Sequence, residues 1–343
     1  MSIGYLEKNP LVSIGLPTFN RRSFFQRALE STLQQTYLNL QVVVSDNNST
    51  DETVALLDTI DDPRVTILRQ PANIGMMPNW NACLNAARGE FFLLLSDDDY
   101  LQPTAIEEMV RASQESGVNP EEVGFVYCRA AVIDERDRIL RRSPRAAWKV
   151  ARGEDALLEF LDFRQPLYPC TIMFRTSDLN QGGGYPGERF SLAADAYAWT
   201  RVAASGRKVI YVENPISHYR IHSSNMTRIV SPDEWISNLT PLVGGIKTQL
   251  EARGEHELAG RVDRASYHYM SNILSGLIVH QVRTGKSNSL GLAEFFRYRK
   301  YFEHSGGFRD FLKGIVRILT PIKIEQWMRE QFHRRIQDDD PAI

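Results

Sequence analysis

Phe91-Phe92-Leu93-Leu94-Leu95-Ser96-Asp97-Asp98-Asp99 (residues 91–99) sets an unbroken apolar run directly before three carboxylates. Such a run, with no polar alternation, suits a strand buried on both faces of a parallel sheet. Three adjacent carboxylates repel one another, and at the mouth of a buried strand they are poorly solvated. A positive group is expected beside them. A divalent ion with hard oxygen ligands, Mg²⁺ or Mn²⁺, balances that charge and bridges to phosphates. The rival account is that Asp side chains after a strand form turns and cap helices by accepting from nearby backbone N–H groups. It bears most on Asp99, next to Tyr100 and shortly before Pro103.

Working outward, the first 135 residues alternate strands with helices. Leu11–Leu16 is an apolar run stopped by Pro17, and Ser23–Gln35 has helical spacing with Phe24, Phe25, Ala28, Leu29, Thr32 and Leu33 on one face. Leu40–Ser45 is a β-branched strand followed by the polar turn Asp46 to Thr50, and Ser49 with Glu52 predicts a capping box opening a helix to about Ile60. Val65–Arg69 is the next strand, Asn79–Ala87 the next helix, and Pro103 opens a helix that Gly117 ends. Val123–Ile133 closes the series. Repeated strand–helix–strand units of this length predict an α/β parallel sheet covered on both faces. Residues 136–194 are less regular: a basic stretch from Arg136 to Lys149, a helix near Glu154–Phe163, a strand-like Thr171–Arg175 and a turn at Gln181–Gly187. Val209–Val212 reads as one more strand leading into Ile216–His222, and from Pro232 onward the pattern is helical.

A length of 343 residues suggests two domains, or one large domain with an appendage. Lys and Arg number 40 against 42 Asp and Glu, which argues against a nucleic-acid-coating protein. The balance is uneven, since residues 290–337 carry ten basic and five acidic side chains, a net of +5. Three widely spaced cysteines in apolar stretches fit buried thiols in a reducing compartment better than a disulfide framework. The N-terminal segment lacks a secretory pattern and no apolar stretch is long enough to span a bilayer, so the expectation is a cytoplasmic protein, soluble or peripherally bound.

Ligands of open parallel sheets bind beyond the carboxyl ends of the strands. In this chain those ends carry Pro17-Thr18-Phe19-Asn20, Asp46, and Ser96-Asp97-Asp98-Asp99. Neither G-x-G-x-x-G nor a P-loop follows the first strand, and C-x-x-C and H-E-x-x-H are both missing, so a Rossmann dinucleotide site, a P-loop and a zinc site lack support. Gly182-Gly183-Gly184 lacks a following Lys and reads as a flexible turn.

The segments VSIGLPTFNR (12–21), VVVSDNNSTDET (42–53), ARGEFFLLLSDDDYLQP (87–103), LAADAYAWTRVAASG (192–206) and YRIHSSN (219–225) resemble, in order and spacing, the inverting glycosyltransferases of family 2. The resemblance implies a GT-A, Rossmann-like, mostly parallel sheet flanked by helices, with a helical C-terminal region. It implies a catalytic domain over residues 1–225 and a helical region over 226–343 that serves acceptor, membrane-surface or dimer contact. It further implies that Pro17, Thr18, Phe19 and Asn20 wall the nucleotide pocket, with Phe19 against the base, and that Asp46 accepts a hydrogen bond from the base. Asp97 would face the ribose and Asp98 would hold the metal, the family's D-x-D element being written here Ser96-Asp97-Asp98. Asp195 would be the general base, and His222 would approach the diphosphate or metal. Arg220 reads either as a phosphate contact or as a surface ion pair. Asn79, assigned to the nucleotide site, stands where some relatives place an Arg, which leaves the usual cationic contact to phosphate unaccounted for.

The chemistry agrees with that assignment. A sugar hydroxyl is a poor nucleophile near neutral pH, so a positioned carboxylate that takes its proton speeds attack. The leaving nucleoside diphosphate develops charge that a bound Mn²⁺ or Mg²⁺ stabilises. The expected partners are a nucleotide-sugar donor, with UDP favoured, and a glycan or lipid-linked glycan acceptor, with no nucleic acid. Two rival functions remain: a non-catalytic glycan- or nucleotide-binding relative acting as an assembly partner, and a sugar-phosphate nucleotidyltransferase, which needs a glycine-rich loop that Pro17 to Arg21 lacks. In the C-terminal region, Phe308, Phe311, Leu312, Ile315, Val316, Ile318 and Leu319 form one helical face, and Asp310, Lys313, Gly314 and Arg317 the other. After Pro321, Ile324, Trp327, Met328 and Phe332 continue the pattern with arginines nearby. Such a helix either packs on the catalytic domain or lies on an anionic membrane at the inner face, and the Pro321 break also allows a homodimer hairpin.

Overall fold

Every residue of the strand β1 (Val12–Thr18) is buried, and so is every residue of its parallel neighbours β2 (Leu40–Asp46) and β4 (Phe91–Leu94). The computed structural model describes residues 9–162, 164–187, 192–222, 225, 230–283, 292–303 and 311–315. Among these, α1 (Arg22–Leu33) follows β1, α2 (Thr53–Asp58) follows β2, and β3 (Val65–Arg69) and α3 (Met76–Ala86) precede β4. Then come β5 (Tyr100–Leu101), α4 (Ala105–Glu115), β6 (Val123–Ile133), β7 (Ile139–Arg142), β8 (Val150–Arg152) and α5 (Gly153–Leu161). The series ends with β9 (Ile172–Arg175), α6 (Thr176–Gln181), α7 (Ala194–Ala203) and β10 (Lys208–Arg220).

The strands form one mixed sheet in the order β3-β2-β1-β4-β9-β6-β10-β5, with β7 on β6 and β8 on β10. The first four are parallel, in register Thr18↔Asp46 and Gly15↔Leu94. That register brings the carboxyl ends of β1, β2 and β4 to one edge of the sheet. The sheet departs from a uniformly parallel one at its centre, where β9 runs antiparallel between β4 and β6. Tertiary pairing decides this: Phe174 lies opposite both Phe92 and Phe125, filling a core position that local sequence does not reveal. Beyond β9, β6 and β10 are parallel to each other, and His218 of β10 pairs antiparallel with Tyr100.

Burial on both faces leaves little room between layers. A Cβ added at Gly15 would lie 2.6 Å from Phe92 Cζ and 2.8 Å from Cys83 Cβ, so β1 accepts only glycine where α3 and Phe92 press upon it.

Several local expectations are corrected. The helix after β2 is capped by Asp51, whose Oδ1 accepts the Thr53 N–H at 3.0 Å, and not by Ser49 with Glu52. Ser49 is instead drawn to the neighbouring loop. The helix before β4 begins at Met76, three residues earlier than its apolar spacing indicates, because Gly75 at φ 87 turns the chain there. The two apolar runs near residues 209–222 are a single strand, β10, whose ladder with β6 breaks between Val212 and Ser217, where Pro215 removes a donor. Gly182 to Gly184 close α6, their N–H groups bonding to the carbonyls of Asp178, Asn180 and Leu179.

Contacts divide the chain into two compact units, residues 1–160 with 164–221, and 161–163 with 222–343. In the second unit the helix Pro232–Ala252 opens with a capping box between Ser231 and Glu234 and pairs through Lys247 with Asp263 of the helix His256–Arg283 at 3.1 Å. Phe295, on the short helix Leu292–Arg297, is fully buried between Phe302 and Phe311. In residues 311–315 the polar-face assignment of Gly314 is corrected. It is buried, and a Cβ there would meet Phe295 Cζ, whereas Leu312, assigned to the apolar face, is 46% exposed. The rest of that amphipathic segment, together with Pro321 to Phe332, lies outside the described residues. Among the described residues no helix is long and apolar enough to cross a membrane.

Candidate active site

Three loops meet at the carboxyl edge of the parallel strands, and short polar side chains join them. Asn20 adopts a left-handed φ of 51° that Asn tolerates well, which turns its backbone N–H onto Ser49 Oγ at 3.0 Å. Its Oδ1 accepts the Thr50 N–H at 2.7 Å. Asp46 Oδ1 accepts the Ser49 N–H at 3.1 Å, an Asx-type turn that shapes the loop after β2. Asn47 bonds Asn73, Ile74 and Gly75, tying that loop to the start of α3. Pro17 and Thr18 are buried as the last residues of β1, whereas Phe19 is 39% exposed. The ring of Phe19 is thus the largest apolar surface that these loops present to solvent.

The acidic loop follows β4. Asp97 is buried, its Oδ2 accepting from Thr18 Oγ1 at 2.9 Å. Burial, and then the neighbouring charge of Asp98, push its carboxyl well above the usual carboxylate range. The positive group beside these carboxylates is Arg21, whose Nη1 lies 2.9 Å from Asp98 Oδ2 and 3.4 Å from Asp97 Oδ1. Asp99 lies beneath, almost fully buried, with its Oδ1 accepting the Arg220 N–H at 2.8 Å. Burial raises its carboxyl strongly, so Asp99 braces the loop from inside.

Arg220 is neither a surface ion pair nor turned to solvent. It is buried and donates to the carbonyls of Asp98 and Asp134, both at 2.8 Å, and it pairs with Asp137. Its guanidinium also lies over the Phe24 ring, 5.2 Å from the centroid. Arg220 therefore positions the backbone of the acidic loop.

Asn79 is buried on α3 with both ends of its carboxamide on Ser45: Oδ1 accepts from Ser45 Oγ at 2.6 Å, and Nδ2 donates to Ser45 O at 3.0 Å. Asn79 thus holds the end of β2, the strand that ends in Asp46.

Asp195 sits in the first turn of α7, half-buried, with its Oδ1 accepting the Ala196 N–H at 2.8 Å. Burial pushes its carboxyl up to about 6. The charge of Asp195 reaches the phenol of the buried Tyr185, which burial foremost holds in its neutral form. Tyr185 is clamped by α3: Asn81 accepts its backbone N–H at 2.9 Å and donates to its carbonyl at 2.7 Å, and Trp80 meets its ring edge-on at 5.2 Å. Tyr219, stacked on Tyr168 at 4.0 Å, is raised by burial and then by the charges of Asp99, Tyr168, Asp98 and Asp195. The acidic loop and Asp195 thus act on one phenol. Asp46, Asp97, Asp98 and Asp195 all belong to the first compact unit.

His222 belongs to the second unit, where its N–H donates to Asn225 Oδ1 at 2.6 Å. Among the described residues no group of three or more His, Cys, Asp or Glu side chains is arranged to hold a metal ion. Asp98, a carboxylate at the edge of the sheet, is the kind of hard oxygen donor that would suit Mg²⁺ or Mn²⁺. Arg21, Asn81 and Tyr185 escape detection from sequence, and so does the bracing role of Arg220, because each acts on a partner far along the chain, such as Arg21 on Asp98, 77 residues away.

Residues 13–179 match the model of "Glycosyl transferase family 2". An uncharacterized glycosyltransferase of Haemophilus influenzae is 23% identical over 233 residues, 67% of this chain and 71% of that protein. A UDP-Glc:α-D-GlcNAc-diphosphoundecaprenol β-1,3-glucosyltransferase of Escherichia coli is 24% identical over 218 residues, 63% of this chain and 80% of that one. Other relatives match over shorter stretches, one of them over 105 residues that cover 11% of its length. Among solved structures, Staphylococcus aureus TarS 1–349 in complex with UDP-GlcNAc superposes with a TM-score of 0.60 at 17% identity, covering 78% of this chain and 81% of that one. A Pyrobaculum calidifontis mannosyltransferase in complex with GDP-Man and Mn²⁺ gives 0.54 at 18% identity, covering 92% and 88%. These two likenesses bear on the fold, which is of the GT-A type. By this match, residues 13–179 are a domain of glycosyl transferase family 2.

Proposed function

We propose that this glycosyltransferase moves a sugar from a nucleoside-diphosphate sugar, with UDP the favoured carrier, to a hydroxyl of a glycan or lipid-linked glycan, with inversion at the sugar carbon. The observation that carries this is the pairing of two kinds of carboxylate in one neighbourhood. Asp97 and Asp98 sit on a braced loop at the carboxyl edge of the sheet, and Asp195 is half-buried with its carboxyl raised to about 6.

In this reaction Asp195 accepts the proton of the acceptor hydroxyl. The freed oxygen forms the bond to the anomeric carbon from the face opposite the diphosphate, while the bond from that carbon to the diphosphate oxygen breaks. One base and no carboxylate nucleophile suffice, which corresponds to a single displacement. A carboxyl near 6 is mostly ionised at pH 7 yet basic enough to take a proton as the oxygen attacks. Mn²⁺ or Mg²⁺ held by Asp98, when bound, neutralises charge on the departing diphosphate. Phe19 offers its exposed ring to the base, Asp46 its carboxylate, and Asp97 faces the ribose.

UDP is favoured because the E. coli relative is described as using UDP-Glc and TarS is in complex with UDP-GlcNAc. The lipid-linked acceptor rests on the diphosphoundecaprenol in that relative's description. Residues 226–343 are proposed for acceptor, membrane-surface or dimer contact. Melting temperatures with UDP, GDP, dTDP and CMP, each with Mn²⁺ and with chelator, test the donor reading. A ligand present at 100 times its Kd stabilises by about 2.7 kcal/mol, a visible shift. UDP with Mn²⁺ is expected to raise the melting temperature and chelator to abolish the rise. No shift with any nucleotide overturns the reading.

A further inference from the structure

The residue that answers the acidic loop is a side chain of the chain itself. Arg21 Nη1 bridges Asp98 at 2.9 Å and Asp97 at 3.4 Å, and the two carboxylate side chains are only 12% and 10% exposed. The Arg21 side chain is 33% exposed, so its guanidinium lies at the rim of the loop and not beneath it. The contact runs through one nitrogen. Among the described residues, the Nε and Nη2 donors of Arg21 have no hydrogen-bond acceptor. The backbone on either side is anchored, by Asn20 to Ser49 and Thr50 and by the Arg22 N–H to Asp51, which leaves side-chain torsions as the way the guanidinium moves.

Two carboxylates against one guanidinium leave no positive charge to attract a diphosphate, and up to one negative charge to repel it. A divalent ion held by Asp98 would reverse that sign and would share with Arg21 the carboxylate that the guanidinium now occupies. Chain and ion would therefore compete for the charge of one carboxylate. A guanidinium displaced from a carboxylate at the rim of a phosphate site has an evident new partner, since its planar fork matches phosphate oxygens as well as carboxylate oxygens.

We propose that Arg21 is the resident cation of the donor site. Without a divalent ion it holds Asp97 and Asp98 together. When an ion takes Asp98, the same guanidinium turns to the diphosphate of the nucleotide sugar and binds it. This rests on the donor-site reading above and adds to it a residue that binds the donor and sets the order of assembly, ion before nucleotide.

The test uses the full-length protein and its Arg21→Gln and Arg21→Lys variants, each first checked for a native near-ultraviolet circular dichroism spectrum. Mn²⁺ alone is titrated and free ion is read by electron paramagnetic resonance. UDP is then titrated by calorimetry at saturating Mn²⁺. Removal of the competing guanidinium is expected to tighten Mn²⁺ binding by about tenfold in Arg21→Gln, within the usual range of coupling between sites. The same variant is expected to bind UDP about tenfold more weakly, with Arg21→Lys recovering part of the loss because it keeps the charge without the fork. Mn²⁺ affinity in Arg21→Gln equal to or weaker than in the unaltered protein overturns the competition, and unchanged UDP affinity overturns the phosphate contact. If the unaltered protein binds no UDP with Mn²⁺, the donor-site reading itself fails. That result is distinguishable from a failure confined to Arg21.

Discussion

Thr18 donates its hydroxyl hydrogen to Asp97 across 2.9 Å, joining the end of β1 to the loop after β4, 79 residues later. The bond exists because β1 and β4 are in parallel register, which carries both chain ends to the same edge. Asp97 is buried, so one donor fewer leaves a carboxylate oxygen partly unsatisfied, at about 1–3 kcal/mol. Thr18→Val, similar in shape but without the hydroxyl, is expected to lower stability by that amount and to weaken UDP binding. Thr18→Ser is expected to keep most of both. Chemical denaturation and calorimetry read the two effects, and a Val variant as stable and as tightly binding as the unaltered protein would show that the hydroxyl contributes nothing.

Asp195 ties activity against stability. Its carboxyl is raised from 3.8 to about 6 by burial, so the folded protein holds that proton more tightly than the unfolded chain does. The sign follows: the ionised form is disfavoured in the fold, and the cost sets in as pH rises from about 4 and is complete above about 6. Two units correspond to up to about 3 kcal/mol. Asp195→Asn is therefore expected to abolish transfer, leave UDP binding near normal, and raise the melting temperature at pH 7 but not at pH 4. Comparable turnover in this variant would refute the base assignment.

In the unaltered enzyme the same value predicts an acidic limb. Turnover with donor saturating is expected to fall tenfold per pH unit below about 6, because only the ionised carboxylate accepts the acceptor proton. A flat profile between pH 5 and pH 7 would contradict it.

Asn81 positions the wall beside that base by holding both backbone groups of Tyr185. Asn81→Ala is expected to loosen the wall, admit water around Asp195, and so lower kcat while moving the acidic limb toward the ordinary carboxylate range. UDP affinity should stay within about twofold, the spread expected for a site the change does not touch. A loss confined to UDP binding would move Asn81 from the acceptor side of the site to the donor side.

Gly15 tests the packing beneath. A methyl group there lies 2.6 Å from Phe92 Cζ, deep in a fully buried layer. Gly15→Ala is expected to cost about 1–3 kcal/mol by overpacking. Phe92→Leu in the same chain should recover part of that, which thermal unfolding of the two variants and their combination would show.

How far these features were legible differs from residue to residue. The strand Phe91–Leu94 and the edge residues Thr18, Asp46 and Asp97 follow from apolar runs and from where parallel strands end, both of which are local signals. The Ser49–Glu52 cap was a sound local pattern that a longer-range bond defeated, since Ser49 Oγ takes the Asn20 N–H. Asn79, assigned to the nucleotide site by resemblance, has its carboxamide on Ser45, a bond between residues 34 apart that no local pattern records. Gly314 looked polar-faced by helical spacing, yet Phe295 lies against it.

The sequence by itself determined which segments are buried strands, where the parallel ones end, and which carboxylates stand at those ends, because hydrophobic periodicity and turn chemistry are properties of neighbouring residues. Only the tertiary structure decided that β9 enters the sheet antiparallel, that Arg220 braces the acidic loop from inside, and that Arg21 is the cation on Asp97 and Asp98. Each of those depends on side chains tens of residues apart. Their meeting is settled by strand register and by burial, where unpaired charge is costly, and no local pattern records it.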